Sequence, residues 1–299
     1  MAEEKKDIIL IIEGGGMLGV FGAGVVTALQ EARIYNRLHS VYGWSAGAHD
    51  TAYFLANQSW LASSIYYLDL DDRKFIKKWN LIPWFWELIL YRLFKKSVKH
   101  QVMNLDYLYW VETVKKKMDL DTLVGHNIPF FVAVYDLAKR QSVFLDGRQN
   151  TMTLIKASAS SPPFYATSVT VGGREYIDVD VNIGGKVTEI IDEHPDKKII
   201  YVINNTKTIY SVLLAFPFEI LRYIMMSLRF GTSVSWEYLW HTFRFTRPAE
   251  KAKLPNVLLA ANRHHYFNFV TKRAKLLRVY HDGLAQGKEL VRLLGYPLL

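Results

Sequence analysis

The sequence predicts an α/β fold with a mainly parallel sheet. Two observations carry this: consecutive strand–turn–helix units near the N-terminus, and further apolar runs of strand length at 129–135 and 198–203. A parallel strand needs a helical crossover to reach its neighbour, so this alternation implies a sheet covered by helices.

Residues 8–12 are an unbroken apolar run, β-branched apart from Leu10, the pattern of a strand buried on both faces. Gly14 to Gly19 make a glycine-rich turn. Residues 20–33 carry helical spacing, with Val20, Ala23, Val26 and Leu29 on or near one face. Residues 40–43 are a second strand, Gly43 to Gly47 a tight turn and 46–57 a helix. The stretch 58–127 reads as mainly helical. Residues 129–135 and 142–145 read as paired strands, and 151–160 as a short helix ending at Ser161-Pro162-Pro163. Residues 167–171 and 175–179 form a hairpin around Gly172-Gly173, and 198–203 a further core strand. From 208 onward the pattern is mostly helical. No linker divides the chain. One domain over 5–207, with a helical insertion at about 75–120, is expected to carry a helical C-terminal extension over 208–299.

Half of the 299 residues are apolar, enough for a sizeable core. Lys and Arg number 37 against 28 Asp and Glu, a formal charge of +9 that favours anionic partners. Neither zinc-finger spacing nor a dense basic run points to nucleic acid. Cysteine is absent, which excludes disulfides, thiolate catalysis and Cys-ligated metals. The apolar run at 8–12 is too short for a signal peptide. Two aromatic stretches, 81–94 and 209–230, fall short of the roughly 18 uncharged apolar residues of a spanning helix. Their rings and basic flanks suit the headgroup zone of a bilayer, so peripheral contact with an anionic membrane is expected of a cytoplasmic protein.

Gly43-Trp44-Ser45-Ala46-Gly47 has the G-x-S-x-G form between a predicted strand and a predicted helix, the setting of a nucleophile elbow. A sharp turn there lifts the Ser45 hydroxyl clear of the sheet, and glycines at 43 and 47 remove side chains that would clash. Upstream, Gly14, Gly15, Gly16 and Met17 leave backbone N–H groups free to converge on an anion. Two readings of that loop compete. One is an oxyanion hole. The other is a dinucleotide loop, since Gly14, Gly16 and Gly19 satisfy G-x-G-x-x-G. The second strand, however, ends in the serine turn and not in the acidic residue that nucleotide binding wants.

A triple-glycine loop with Gly-x-Ser-x-Gly about thirty residues on resembles the patatin-like phospholipase family, in its bacterial branch. Ala157-Ser158 followed by Pro162 and Pro163, and then Tyr176-Ile177-Asp178, resemble that family's later motifs. The likeness spans about residues 8–205, with a fainter match near Arg263 to Asn268. It implies a three-layer α/β/α domain and hydrolysis of a lipid carboxylic ester through a serine–aspartate dyad, without metal or cofactor. Ser45 is then the nucleophile and Asp178 the base, with Asp180, two residues on, as the alternative. The sequence departs from the family at Val179 and Asp180, where two small residues are usual, at Leu18, where a basic residue is usual, and at Lys186, where proline is usual. The rival readings are a membrane-binding relative without turnover and a nucleotide-binding protein. His49, one helical turn after Ser45, reads as a packing or capping residue. Nothing in the sequence signals an oligomeric state.

Overall fold

A computed structural model describes residues 6–70, 74–94, 98–162, 164–165, 167–179, 183–206, 220, 223–224, 226–231, 236 and 254–296 of the chain. The central strand is β1 (Ile8–Ile12), flanked by β2 (Leu38–Gly43) and β7 (Lys198–Ile203), both parallel to it. Outward from β2 lies β3 (Phe130–Asp136), parallel, with β4 (Gln141–Asp146) antiparallel to it. The hairpin of β5 (Val169–Val171) and β6 (Arg174–Ile177) joins β3 antiparallel, turning at Gly172 and Gly173, both at positive φ. At the far edge β8 (Val257–Ala261) runs parallel to β7.

Period-two geometry sends alternate residues of β1 to opposite sides. Ile8, Leu10 and Ile12 enter one buried cluster, and Ile9 and Ile11 the other. The first layer holds α1 (Val20–Glu31), α2 (Ala46–Leu55), α3 (Ser59–Ser64), α7 (Thr151–Ala159) and α9 (Arg273–Leu293). The second holds Val187, Ile190 and Ile191 of α8 (Ile183–Glu193). The result is helix on both faces of a mostly parallel sheet, as expected. α9 lies against α1 at very close range: a Cβ on Gly283 would stand 2.1 Å from the Phe21 carbonyl oxygen. Only glycine fits there.

The stretch from 58 to 127 is helical but interrupted. α3 runs into a π turn at Ile65–Asp69, and α5 (Leu105–Trp110) into another at Val111–Lys115, each closed by an i to i+5 backbone bond. Beyond them comes α6 (Leu120–Gly125). Asp69 is buried and paired with Lys115 and Lys116. α4 (Leu81–Phe94) stands on a stalk in which Ile76 bridges Met103 and the Lys77 N–H donates to the Val102 carbonyl at 2.8 Å.

One expectation is corrected. The C-terminal part is not helical throughout, because 257–261 is a sheet strand. Its Leu- and Ala-rich composition carries no β-branched signal after Val257, so only pairing with β7 reveals it. Most of the second aromatic stretch, 209–230, lies outside the described residues.

Candidate active site

Ser45 sits between β2 and α2 with φ 51° and ψ −125°, a conformation that costs a non-glycine residue free energy and recurs at functional sites. The crowding around it explains both glycines. A Cβ at position 47 would lie 2.2 Å from the Ile12 carbonyl oxygen, and one at position 43 would lie 2.6 Å from the Gly47 carbonyl oxygen. The turn is held from below: the Ser45 N–H donates to Ser158 Oγ at 2.7 Å, whose hydroxyl donates to the Ala133 carbonyl at 2.7 Å. Ser45 itself is half-buried.

The sheet brings Asp178 toward this turn. β4 pairs with β3 from Phe131 to Asp136 and occupies one edge of it. β2 takes the other edge as far as Val132, opposite Gly43. β6 comes down that same edge from the opposite direction, with Tyr176 and Ile177 opposite Asp136 and Tyr135. β2 and β6 therefore point at each other with Ala133 and Val134 of β3 between their last pairs, Val132 and Tyr135, which stand about 10 Å apart in strand rise. Ser45 and Asp178 both lead directly into that gap. The C-terminus of α7 spans it, because Ser158 holds the Ser45 N–H and the Ser160 carbonyl accepts the Asp178 N–H at 3.1 Å. Asp178 is buried. Val179 is also fully buried, beside Trp44 and Ala133 in the second layer and without a positive φ, so valine is accommodated where the family has a small residue. Asp180, the alternative base, lies outside the described residues.

The glycine loop faces the serine. A Cβ on Gly14 would be 2.9 Å from Ser45 Cβ. The loop leads through a tight turn at Gly16–Gly19 into α1, so its amides stand at a helix N-terminus. The Met17 N–H, expected among the oxyanion donors, donates to the Asn268 carbonyl at 2.8 Å. The N–H groups of Gly14, Gly15 and Gly16 have no partner among the described residues. Asn204, unnoticed in the sequence, fixes the loop: its Nδ2 donates to the Glu13 carbonyl at 2.5 Å and its Oδ1 accepts the Gly22 N–H at 2.8 Å. Asn204 and Asn268 pack on Gly15 and Gly16, where the dinucleotide reading wants an open backbone.

Beside Ser45 opens a narrow apolar pocket, partly open to solvent. Ser45, Ala46 and His49 of α2 form one wall, Tyr66 and Leu70 a second, and Leu105 and Leu108 of α5 a third. Ile155 and Ala159 of α7 and Phe269 also line it. Beneath this carbon surface lies a polar network. His49 Nδ1 is hydrogen-bonded to Glu112 Oε1, and Tyr66 donates to Asp50 Oδ1 at 3.1 Å. Burial works against a charged His49, but the Glu112 hydrogen bond and charge, helped by Asp50, outweigh it and raise its pKa. Burial pushes Asp50 up to about 8. The sequence marks His49 only as a packing residue and marks neither Glu112 nor Tyr66, since nothing local signals partners 63 and 16 residues away. Among the described residues, no group of three or more metal-ligating side chains occurs.

Known proteins resemble this chain over the same region. A family model described as Patatin-like phospholipase matches residues 10–178. YjjU, an uncharacterized protein of Escherichia coli (strain K12), is 28% identical over 176 residues, covering 57% of this chain and 44% of its own. This chain thus spans less than half the length of that relative. VipD of Legionella pneumophila superposes over 96% of this chain and 67% of its own, with a TM-score of 0.48 and 14% identity. ExoU of Pseudomonas aeruginosa, solved with SpcU, superposes over 80% and 52%, with a TM-score of 0.37 and 16% identity.

Proposed function

This chain belongs to the patatin-like phospholipase family, and on that premise we propose that it hydrolyses carboxylic esters of lipids through Ser45 and Asp178. The observation that carries the reading is the head-to-head ending of β2 and β6 on one edge of β3, with Ser45 strained at the junction. Asp178 takes the Ser45 proton as Oγ attacks the ester carbonyl. The N–H groups of Gly14, Gly15 and Gly16 receive the developing oxyanion, and Met17 joins them only by releasing Asn268. As the carbon–oxygen bond to the alcohol breaks, Asp178 returns the proton to the leaving oxygen. Water, activated by the same carboxylate, then frees the acid from the acyl-enzyme. The apolar pocket beside Ser45 suits an acyl chain.

Peripheral contact with an anionic bilayer fits the outer face of α4. Ile82, Trp86, Leu90 and Leu93 recur at helical spacing and are exposed, while Trp84 and Leu88 face inward. Trp79, just before the helix, is 94% exposed. Among the described residues no helix is long and apolar enough to cross a membrane. The functional reading is tested by hydrolysis of p-nitrophenyl butyrate. Wild-type protein is expected to turn over, and Ser45→Ala to lose at least ~10³-fold. Equal rates would remove Ser45 from the chemistry and leave a membrane-binding relative without turnover.

A further inference from the structure

The pocket shows carbon to its occupant, yet its walls are tied together by buried polar bonds. Tyr66, on the π turn at Ile65–Asp69, donates to Asp50 Oδ1 at 3.1 Å and reaches the Ala46 carbonyl at 3.4 Å. Glu112, on the π turn at Val111–Lys115, accepts from His49. Two consecutive residues of α2 are thus each gripped by a π turn, and those turns carry or adjoin two of the pocket's walls. The turns are joined to each other where Asp69 pairs with Lys115 and, at 3.3 Å, with Lys116. A π turn inserts one residue into a helix and re-aims the chain beyond it, and such turns are frequent at functional sites.

Apolar contacts alone let such walls slide, because burial is non-directional. A buried ion pair is favourable at one geometry only, and its best-attested use is to fix register. The side chains of His49 and Glu112 are 6% and 3% exposed, so water does not weaken the bond. His49 does not serve as a base for Ser45. Its Nδ1 is committed to Glu112, and its Nε2 is enclosed without a well-formed hydrogen bond among the described residues.

We propose that the His49–Glu112 and Asp50–Tyr66 pairs determine acyl specificity: they set the spacing of the pocket walls against the nucleophile's helix, so that the pocket discriminates acyl groups by chain length. His49 and Tyr66 are positioning residues in this account, and Glu112 acts through His49. The inference rests on the proposed ester hydrolysis at Ser45.

The experiment measures kcat and KM for p-nitrophenyl acetate and p-nitrophenyl octanoate. Two variants are used: Tyr66→Phe, and the paired His49→Phe with Glu112→Leu, which leaves no lone buried charge. The octanoate-to-acetate ratio of kcat/KM is expected to fall at least tenfold in each, chiefly through KM for octanoate. An unchanged ratio in both variants, with folding intact by circular dichroism, would overturn the proposal. So would an equal, large fall in kcat for both esters, which would put the pair in the chemistry. If wild-type protein shows no Ser45-dependent hydrolysis of either ester, the functional reading fails first and takes this inference with it.

Discussion

The two ends of the site are built from different materials. Around Ser45 the structure is backbone: a strained turn, glycines at van der Waals limits and amides of a tight loop. Around the far side of the pocket it is side chain: His49 with Glu112, Asp50 with Tyr66, and Asp69 with Lys115 and Lys116. Backbone geometry is specified by residues adjacent in sequence and fails when a methyl group is added. Side-chain pairing is specified by residues far apart and fails when one partner is removed.

The sharpest way to break that contrast is at the side-chain end. Glu112→Leu alone leaves the buried His49 ring without its hydrogen-bond partner, and we expect about 1–3 kcal/mol of lost stability in denaturant unfolding. The paired change with His49→Phe should recover most of it, since an apolar pair of similar volume is often tolerated. At the backbone end the expected loss is in rate. Gly47→Ala must displace the turn from the Ile12 carbonyl, and steady-state kinetics should show kcat/KM down by about 10²-fold. If Glu112→Leu cost nothing in stability, or Gly47→Ala nothing in rate, the division of labour would be wrong.

A smaller effect is read through pH. Folded protein retains the Asp50 proton up to about 8, whereas the unfolded chain releases it near 3.8. The folded state therefore binds more protons across that interval. The contribution of Asp50 to stability is full in acid, declines as pH rises and is gone above about 8. His49, with its raised pKa, acts in the same direction: its contribution is complete below the ordinary value of 6.5 and lost as pH rises through the folded value. Thermal scans should show that Asp50→Asn, which has no proton to lose, declines less between pH 6 and 8 than wild type. The smallest expected effect is at α4. Trp86→Ser, on the exposed stripe, should weaken co-sedimentation with anionic vesicles severalfold while leaving the free energy of unfolding within about 0.5 kcal/mol of wild type.

The same contrast explains what the sequence disclosed. Ser45, Gly43 and Gly47 were legible because an elbow needs small residues at fixed offsets, and β1 because a doubly buried strand is uniformly apolar. Asp178 was reached through resemblance, and the strand ending that brings it to the gap emerged only from β3 pairing. Met17 shows the limit of local reading. Its N–H lies in the loop, but a carbonyl 251 residues away in the chain, that of Asn268, takes it. Glu112 and Tyr66 gave no signal at all, since a glutamate or tyrosine in a helical stretch looks the same whether it faces water or a buried partner.

The central claim is that one carboxylate, that of Asp178, activates Ser45. Labelling with a small fluorophosphonate, read by intact mass and by mapping the modified peptide, tests it most directly. The account predicts stoichiometric capture at Ser45 in wild type, loss of at least ~10²-fold in labelling rate for Asp178→Asn, and a wild-type rate for Asp180→Asn. Undiminished labelling of Asp178→Asn would contradict it.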